Sequence, residues 1–320
     1  MSKRSKGWLI AAVSLVLAGG ILFAGVMTAL DWDFKKLSTV TYETSTYTVT
    51  DSFTNVSVAD SVADVTFAPS TDDIVSVVCY EQKNLAHSVA VEGDTLVVKP
   101  EDTRKWYHYI GIGFDSPKIT VYLPKGTYGD LTVKTSTGDV NVPKGYSFAS
   151  AHLSVSTGRV TVAASVVGKL TVKASTGNIR LKELSAGGVD LTVSTGCITA
   201  SAITCDGDVK VKTTTGDTAL TDVTCRNLSS EGSTGDLTLK RVTAAEAFVI
   251  ERDTGDVRFD ACDAATLSVT TDTGDIKGSL LTEKVFITST DTGRVDVPES
   301  IAGGKCKLTT DTGDITIFIQ

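Results

Sequence analysis

From about residue 126 onward, apolar and polar residues alternate in short runs that return in the same frame. Leu131-Thr132-Val133, Leu170-Thr171-Val172, Leu191-Thr192-Val193 and Leu267-Ser268-Val269 each place apolar side chains two apart, the period of a strand with one buried face. A second, shorter alternation follows each run, as in Val140-Asn141-Val142, Val160-Thr161-Val162 and Ile315-Thr316-Ile317. Between the two stands the dipeptide Thr-Gly, ending at Gly138, Gly158, Gly177, Gly196, Gly216, Gly235, Gly255, Gly274, Gly293 and Gly313. Successive glycines lie 19 or 20 residues apart, a regularity that marks a repeat architecture. Each unit reads as strand, turn, short strand and connector. Glycine in the third place of a Ser-Thr-Gly-Asp turn permits the positive φ of a type II turn, and Ser or Asp bonds the turn's own backbone.

One such unit cannot bury its apolar face alone, whereas stacked units share a continuous core. The Asn column of a leucine-rich repeat is missing, and so is the 3.6-residue period of a helical repeat. The expected fold is all-β, a single-stack parallel β-solenoid of about ten coils of ~20 residues, spaced about 4.8 Å along one axis. Residues 126–320 form the regular coils. Residues 51–125, with strands expected near 53–59, 62–68, 74–80, 89–91, 96–98 and 119–123, form an irregular β cap, and residues 31–50 a linker. On the last strand Ile315, Ile317 and Ile319 alternate up to Gln320. That predicts an open parallel edge at the C-terminal end, suited to self-association or strand addition.

The segment KITVYLPKGTYGDLTVKTSTGDVNVPKG, followed by further LTVxxSTGxV units, resembles the bacterial putative-adhesin family of β-strand-repeat domains. That family shows an extended lead-in, a Val-x-Leu-Pro step (here Val121-Tyr122-Leu123-Pro124) and sTGd turns about every 20 residues. The likeness covers roughly residues 50–320. It implies a surface-exposed solenoid, often tethered to a membrane, and it brings no catalytic residues with it.

The first thirty residues are a separate object. Lys3, Arg4 and Lys6 precede an uncharged run over 8–30, whose 23 residues make about 35 Å of helix, enough for a bilayer core. Basic residues before the run and Asp31 and Asp33 after it place residues 1–7 in the cytoplasm and the rest outside. A cleaved signal peptide competes with this reading, but the run is long for one and its small-x-small site is poor. Beyond residue 30 the chain carries 27 basic and 38 acidic groups, a balance that argues against nucleic acid as a partner.

Asp-Thr-Gly, the triplet around the catalytic aspartate of aspartic proteases, occurs at Asp253, Asp272, Asp291 and Asp311. Other units carry Ser136, Ser156, Ser175, Ser194, Thr214 and Ser233 in that place, so the aspartates read as turn residues rather than a catalytic dyad. Stacked one coil apart, they form a candidate Ca²⁺ column, with solvated turn carboxylates as the competing reading. Cys205 and Cys225 both fall nine residues after a repeat glycine, within disulfide range if their coils are neighbours. Free buried thiols compete with that pairing. Trp106, Tyr107, Tyr109 and Phe114 cluster in a short aromatic stretch, able to stack on sugar rings or grip a partner, or to plug the cap. No Ser elbow, HExxH or P-loop is present. The chain is therefore expected to be non-catalytic, a membrane-anchored extracytoplasmic module that binds a cell-envelope glycan or protein. The alternatives are an envelope-sensing subunit acting through a membrane partner and, more weakly, a polysaccharide-acting β-helix enzyme.

Overall fold

The computed structural model describes residues 3–102 and 115–320. Helix α1, Lys3–Ala29, holds a Ser5–Ala29 stretch that is long and apolar enough to cross a membrane and is exposed along most of its length. It stops at Asp31 and Trp32, which take left-handed φ of 56° and 58°. There the Trp32 N–H donates to the Met27 carbonyl at 2.8 Å, turning the chain so that the Trp32 ring meets Phe23 edge-on.

Seven strands make the cap: β1 Tyr42–Val49, β2 Asn55–Asp60, β3 Asp64–Pro69, β4 Val75–Gln82, β5 Leu85–Glu92, β6 Thr95–Asp102 and β7 Lys118–Leu123. The latter half of the expected linker is thus a strand, β1, paired antiparallel with β4. β4 also pairs antiparallel with β7, and β5 with β6. β2 and β3 behave differently. Val56 and Val58 of β2 stack in parallel on Leu131 and Val133, while Val65 of β3 stacks on Val140. Together they are a complete solenoid coil with Ala63 in the glycine place, and β4 to β7 are an insertion between that coil and its neighbour 75 residues on. No glycine stands at this turn, although β6 and β7 pair in parallel with β2 and β3 on its far side. It is closed instead by Asp60, whose Oδ1 accepts the N–H groups of Val62 and Ala63, each at 2.6 Å.

From Gly126 to Thr254 each coil pairs in parallel with the next at 19 or 20 residues. Interior positions form columns, such as Ala151–Leu170–Val189–Val209–Leu228–Phe248–Leu267, and nearly all are fully buried. Three breaks divide a coil into strand segments. One is the Thr-Gly turn. A second is a column of left-handed residues, Glu183, Ala202, Asp222, Arg241 and Ala261 (φ 48–55°). The third is a corner where Gly168, Gly187 and Gly207 pass close to the main chain of the preceding coil.

The Thr-Gly edge is tighter than a type II turn. Its glycines from Gly138 to Gly274, with Gly313, hold φ between 131° and 154°, which is extended backbone of the mirror-image hand. A β-carbon built on Gly216 would stand 2.1 Å from the carbonyl oxygen of Gly196, and the same holds along the column at 1.9–2.3 Å. Close approach of two main chains, as well as φ, excludes every side chain there.

The last two coils are exchanged. Gly274 N–H bonds to Thr312 and Gly313 N–H to Thr292, and the strand Gly304–Thr312 lies between the strands Val257–Thr273 and Lys284–Thr292. The final strand, Ile315–Ile319, is therefore internal, with Ile315 and Ile317 buried. The edge expected at the C-terminus is instead formed by 284–296. Side-chain chemistry explains the order. The Gly304–Thr312 strand presents Cys306 and Leu308 inward, both fully buried, whereas the 284–292 strand offers Thr288 in the column that holds Val269 and Leu308. The coil with the poorer apolar complement sits at the end.

Two measurements test these contacts. Gly216→Ala is expected to cost at least about 2 kcal/mol in thermal unfolding. Gly188→Ala, whose β-carbon would meet nothing nearer than 3.8 Å, stays within roughly 0.5 kcal/mol of wild type. Removal of residues 304–320 takes out a middle rung, so amide exchange in 284–292 rises to that of an unpaired segment. If the coils followed sequence order, that segment would stay protected.

Candidate functional site

The residue after each turn glycine has a defined task. Asp64 accepts the Asp139 N–H at 2.8 Å, Asp139 that of Arg159 at 2.7 Å, and Asn178 that of Cys197 at 2.9 Å. The ladder resumes at Asp217, which accepts from Asp236, and passes through Asp256, Asp275 and Asp314 to Arg294 with every step at 2.8–3.0 Å. Each carboxylate thus satisfies a main-chain donor of the neighbouring coil. Where acids crowd, cations lie between them: Arg258 bridges Asp236 and Asp256 at 2.6 and 2.5 Å, and Lys277 reaches Asp275 and Asp256 at 3.1 and 3.7 Å. The Arg258 hydrogen bond holds the Asp236 carboxyl below the usual carboxylate range. The Asp314 N–H, with Lys277, does the same for Asp275.

Asp253, Asp272, Asp311 and Asp291 stand in that order on the same edge, two residues before the glycines, and all are exposed. They do not converge. Among the described residues the three-membered group of metal-donor side chains is elsewhere, and no three of these carboxylates bring oxygens within 4.8 Å of one another. Cys205 and Cys225 occupy equivalent places in adjacent coils, since Thr204 pairs with Thr224. Both are buried free thiols, where the spacing had allowed a disulfide. Residues paired in register on parallel strands project side by side at the strand spacing, and their sulfurs point to separate carbonyls, Asp208 at 3.7 Å and Thr243 at 3.8 Å. Cys262 stands opposite Leu280, and the cysteine column continues through Ala244 and Ala264.

The outer faces carry shallow depressions. One of about 380 Å³ lies over the glycine corner, floored by Gly168, Gly187, Gly188 and Gly207 and rimmed by Lys169, Lys210 and Arg226. Lys169 pairs with Asp190 at 2.8 Å and Arg226 with Asp208 at 3.1 Å. Lys210 has no ion pair among the described residues. Stacked glycines leave main chain bare on the floor, so a flat polar ligand can approach it closely. The glycine cluster is visible in sequence only once the coil period aligns it.

The aromatic stretch with Trp106, Tyr107, Tyr109 and Phe114 lies outside the described residues. Its C-terminal flank is anchored on the cap: Tyr42 Oη donates to the Asp115 carbonyl at 2.9 Å, Tyr80 Oη to its carboxylate at 3.1 Å, and the two rings stack at 5.2 Å. Beside these strands lies a buried group that sequence reading did not assemble. His87 Nδ1 is 2.6 Å from Glu81 Oε2 and His87 Nε2 is 2.9 Å from Asp60 Oδ2, all three side chains being at most 3 % exposed. Burial alone would lower the His87 pKa, but bonds to Asp60, Cys79 and Glu81 outweigh it and hold it up at about 10. Burial would raise the Asp60 pKa, yet His87 and two backbone N–H groups bring it below the ordinary value. The available signal was Cys79-x-Glu81 on one strand face with His87 returning across a hairpin, but hairpin register is not written in an isolated histidine.

The turn ladder has a pH signature. Asp236 and Asp275 titrate lower folded than unfolded, so their stabilisation is complete above the ordinary value of 3.8 and is lost as pH falls through the folded values. At neutral pH Asp236→Asn/Asp275→Asn, which keeps the N–H acceptors as Asn178 does, should be less stable than wild type by roughly 0.5–1 kcal/mol. The two melting curves are expected to draw together as pH falls below 3.8.

Among solved structures the chain is similar to a putative adhesin from Parabacteroides distasonis, at 15 % identity and TM-score 0.48 over 75 % of this chain and 96 % of that one. A putative adhesin from Bacteroides fragilis matches at 17 % identity and TM-score 0.37 over 87 % and 97 %, and a putative lipid binding protein from Parabacteroides distasonis at 15 % and 0.42 over 88 % and 98 %. No curated protein matches the chain. A family model described as Toastrack DUF4097 matches residues 53–211 and 207–320, which together take in the inserted cap and all the coils. With its stacked Thr-Gly turns and parallel ladder, the chain belongs to the Toastrack DUF4097 family.

Proposed function

We propose that the chain is a non-catalytic binding module, anchored by α1 with residues 1–7 cytoplasmic and the solenoid outside the cell membrane, and that it holds a cell-envelope glycan. The observation that carries this reading is the glycine-floored trough. Exposed main chain below and Lys169, Lys210, Arg226, Asp190 and Asp208 around it offer donors and acceptors at the spacing of a hydroxyl-rich ring, on a scaffold too regular to close over a ligand. The outward rows of the coils are mostly Ser, Thr and Lys, groups that suit a hydroxylated ligand. The ligated state needs no acid–base pair. The sensing alternative has its own support in α1, whose apolar side chains are exposed along most of the helix and so offer a surface to another membrane helix.

The test is retention of isolated cell-wall glycan by the full chain in detergent, compared with Lys210→Glu/Gly188→Trp, which reverses the free charge and fills the trough. Retention by wild type, reduced at least tenfold by the double variant, supports the proposal. Equal retention removes the trough from consideration. One stoichiometric membrane protein recovered with the wild-type chain, and no glycan, assigns it to sensing instead.

A further inference from the structure

The buried group in the cap is built differently from everything around it. Cys79 and Glu81 alternate on one face of β4, and His87 lies on β5 beyond the hairpin closed by the Gln82–Leu85 pair. Cys79 Sγ, a Glu81 carboxylate oxygen and a His87 ring nitrogen all lie within 4.8 Å of one another, and all three residues are buried. The neighbouring inward side chains, Val77 on β4, Val98 on β6 and Ile119 and Val121 on β7, are apolar and fully buried. Three ionisable groups set in such a core carry a desolvation cost that apolar residues of similar size would avoid.

We propose that Cys79, Glu81 and His87 are the ligands of a zinc ion, bound through Sγ, Oε2 and Nδ1, with Asp60 as the positioning residue. The inference is independent of the glycan reading.

Sulfur, imidazole and carboxylate together are the donor set of zinc, and three protein ligands leave the fourth position of its tetrahedron to water. Hard cations take oxygen donors and would not use the thiolate. The surroundings are those a ligating histidine has. Its second nitrogen, Nε2, faces Asp60 Oδ2, and Asp60 is itself fixed by the Val62 and Ala63 N–H groups. A carboxylate in that place selects the tautomer that frees Nδ1 and orients the ring. Glu81 is held as well: its Oε1 accepts from Tyr47 Oη at 3.3 Å and its Oε2 from the His87 main-chain N–H at 2.7 Å. In a tetrahedron with bonds of about 2.0–2.1 Å, the nitrogen and oxygen stand about 3.3 Å apart. Nδ1 and Oε2, now 2.6 Å apart around a shared proton, need to separate by less than an ångström. Binding releases the proton from Nδ1 and the thiol proton of Cys79, and the thiolate and carboxylate then balance the 2+ charge. The ion would join β4 to β5 and, through Asp60, to the turn of the first coil.

The full chain, purified in detergent and stripped with a chelator, is titrated with Co²⁺. The expected result is a near-ultraviolet thiolate-to-cobalt band that saturates at one equivalent and is displaced by Zn²⁺. Cys79→Ser abolishes the band, Cys306→Ser leaves it unchanged, and Asp60→Asn keeps it while weakening affinity about 10–100-fold. X-ray absorption at the zinc edge of the loaded wild type needs no variant to fold, and shows one sulfur among nitrogen and oxygen neighbours. No band with wild type, a band that survives Cys79→Ser, or a zinc shell without sulfur overturns the proposal.

Discussion

The structure depends on one close approach. At the Thr-Gly edge each coil lays a peptide directly over the glycine of the coil before it, so near that a β-carbon would overlap the carbonyl oxygen. From that seat each amide reaches the carbonyl one coil away at about the ideal distance. Once the edge is set, the register of everything else follows, because residues 19 or 20 apart must then stack on themselves. Apolar columns fill the inside, and hydroxyls of Thr271, Thr290 and Thr310 on the third inward column turn to glycine carbonyls at 3.0–3.4 Å. The aspartates after the glycines close the remaining donors. Glycine and the aspartate after it therefore act as space and outward acceptor of one joint, and in the last three coils a threonine three residues before the glycine adds an inward donor.

Much of this was legible because a repeat writes its own register. Ten glycines at an even interval fix which residues touch, and the turn aspartates declared themselves as structural because Ser and Thr alternate with Asp before the glycine. What stayed hidden has no period. The first coil carries Ala63 in place of glycine and is cut from its neighbour by 70–122, so counting glycines misses it. The exchange of the last two coils turns on side-chain differences within one frame, Thr288 against Leu308 and Val295 against Ile315 among them, which no period announces. Cys205 and Cys225 were correctly placed as neighbours, yet parallel in-register strands hold their sulfurs abreast rather than face to face. The cap cluster depended on hairpin register that no repeat supplied.

Two kinds of rigidity coexist in the molecule. The coils are stiffened by many equal, weak main-chain bonds, so damage to one joint is local and its neighbours remain intact. The cap is held by a few unequal side-chain contacts, among them the Asp60–His87–Glu81 chain, the Tyr42–Tyr80 stack and the hydroxyl bonds to Asp115. Local change in the coils should alter the face presented to a ligand, while change in the cap alters how the rod begins and how it is joined to the segment leading from α1.

The internal position of the final strand has a consequence for how such a rod can be made. A solenoid that simply ended could lengthen by copying its last repeat, and could fold coil by coil as the chain emerges. Here the outermost strand, 284–292, precedes in sequence the strand beneath it, and it finds its pairing partner only in residues 304–312. The array is stitched shut from behind: the far end is locked when residues 304–312 take their place between the strands on either side.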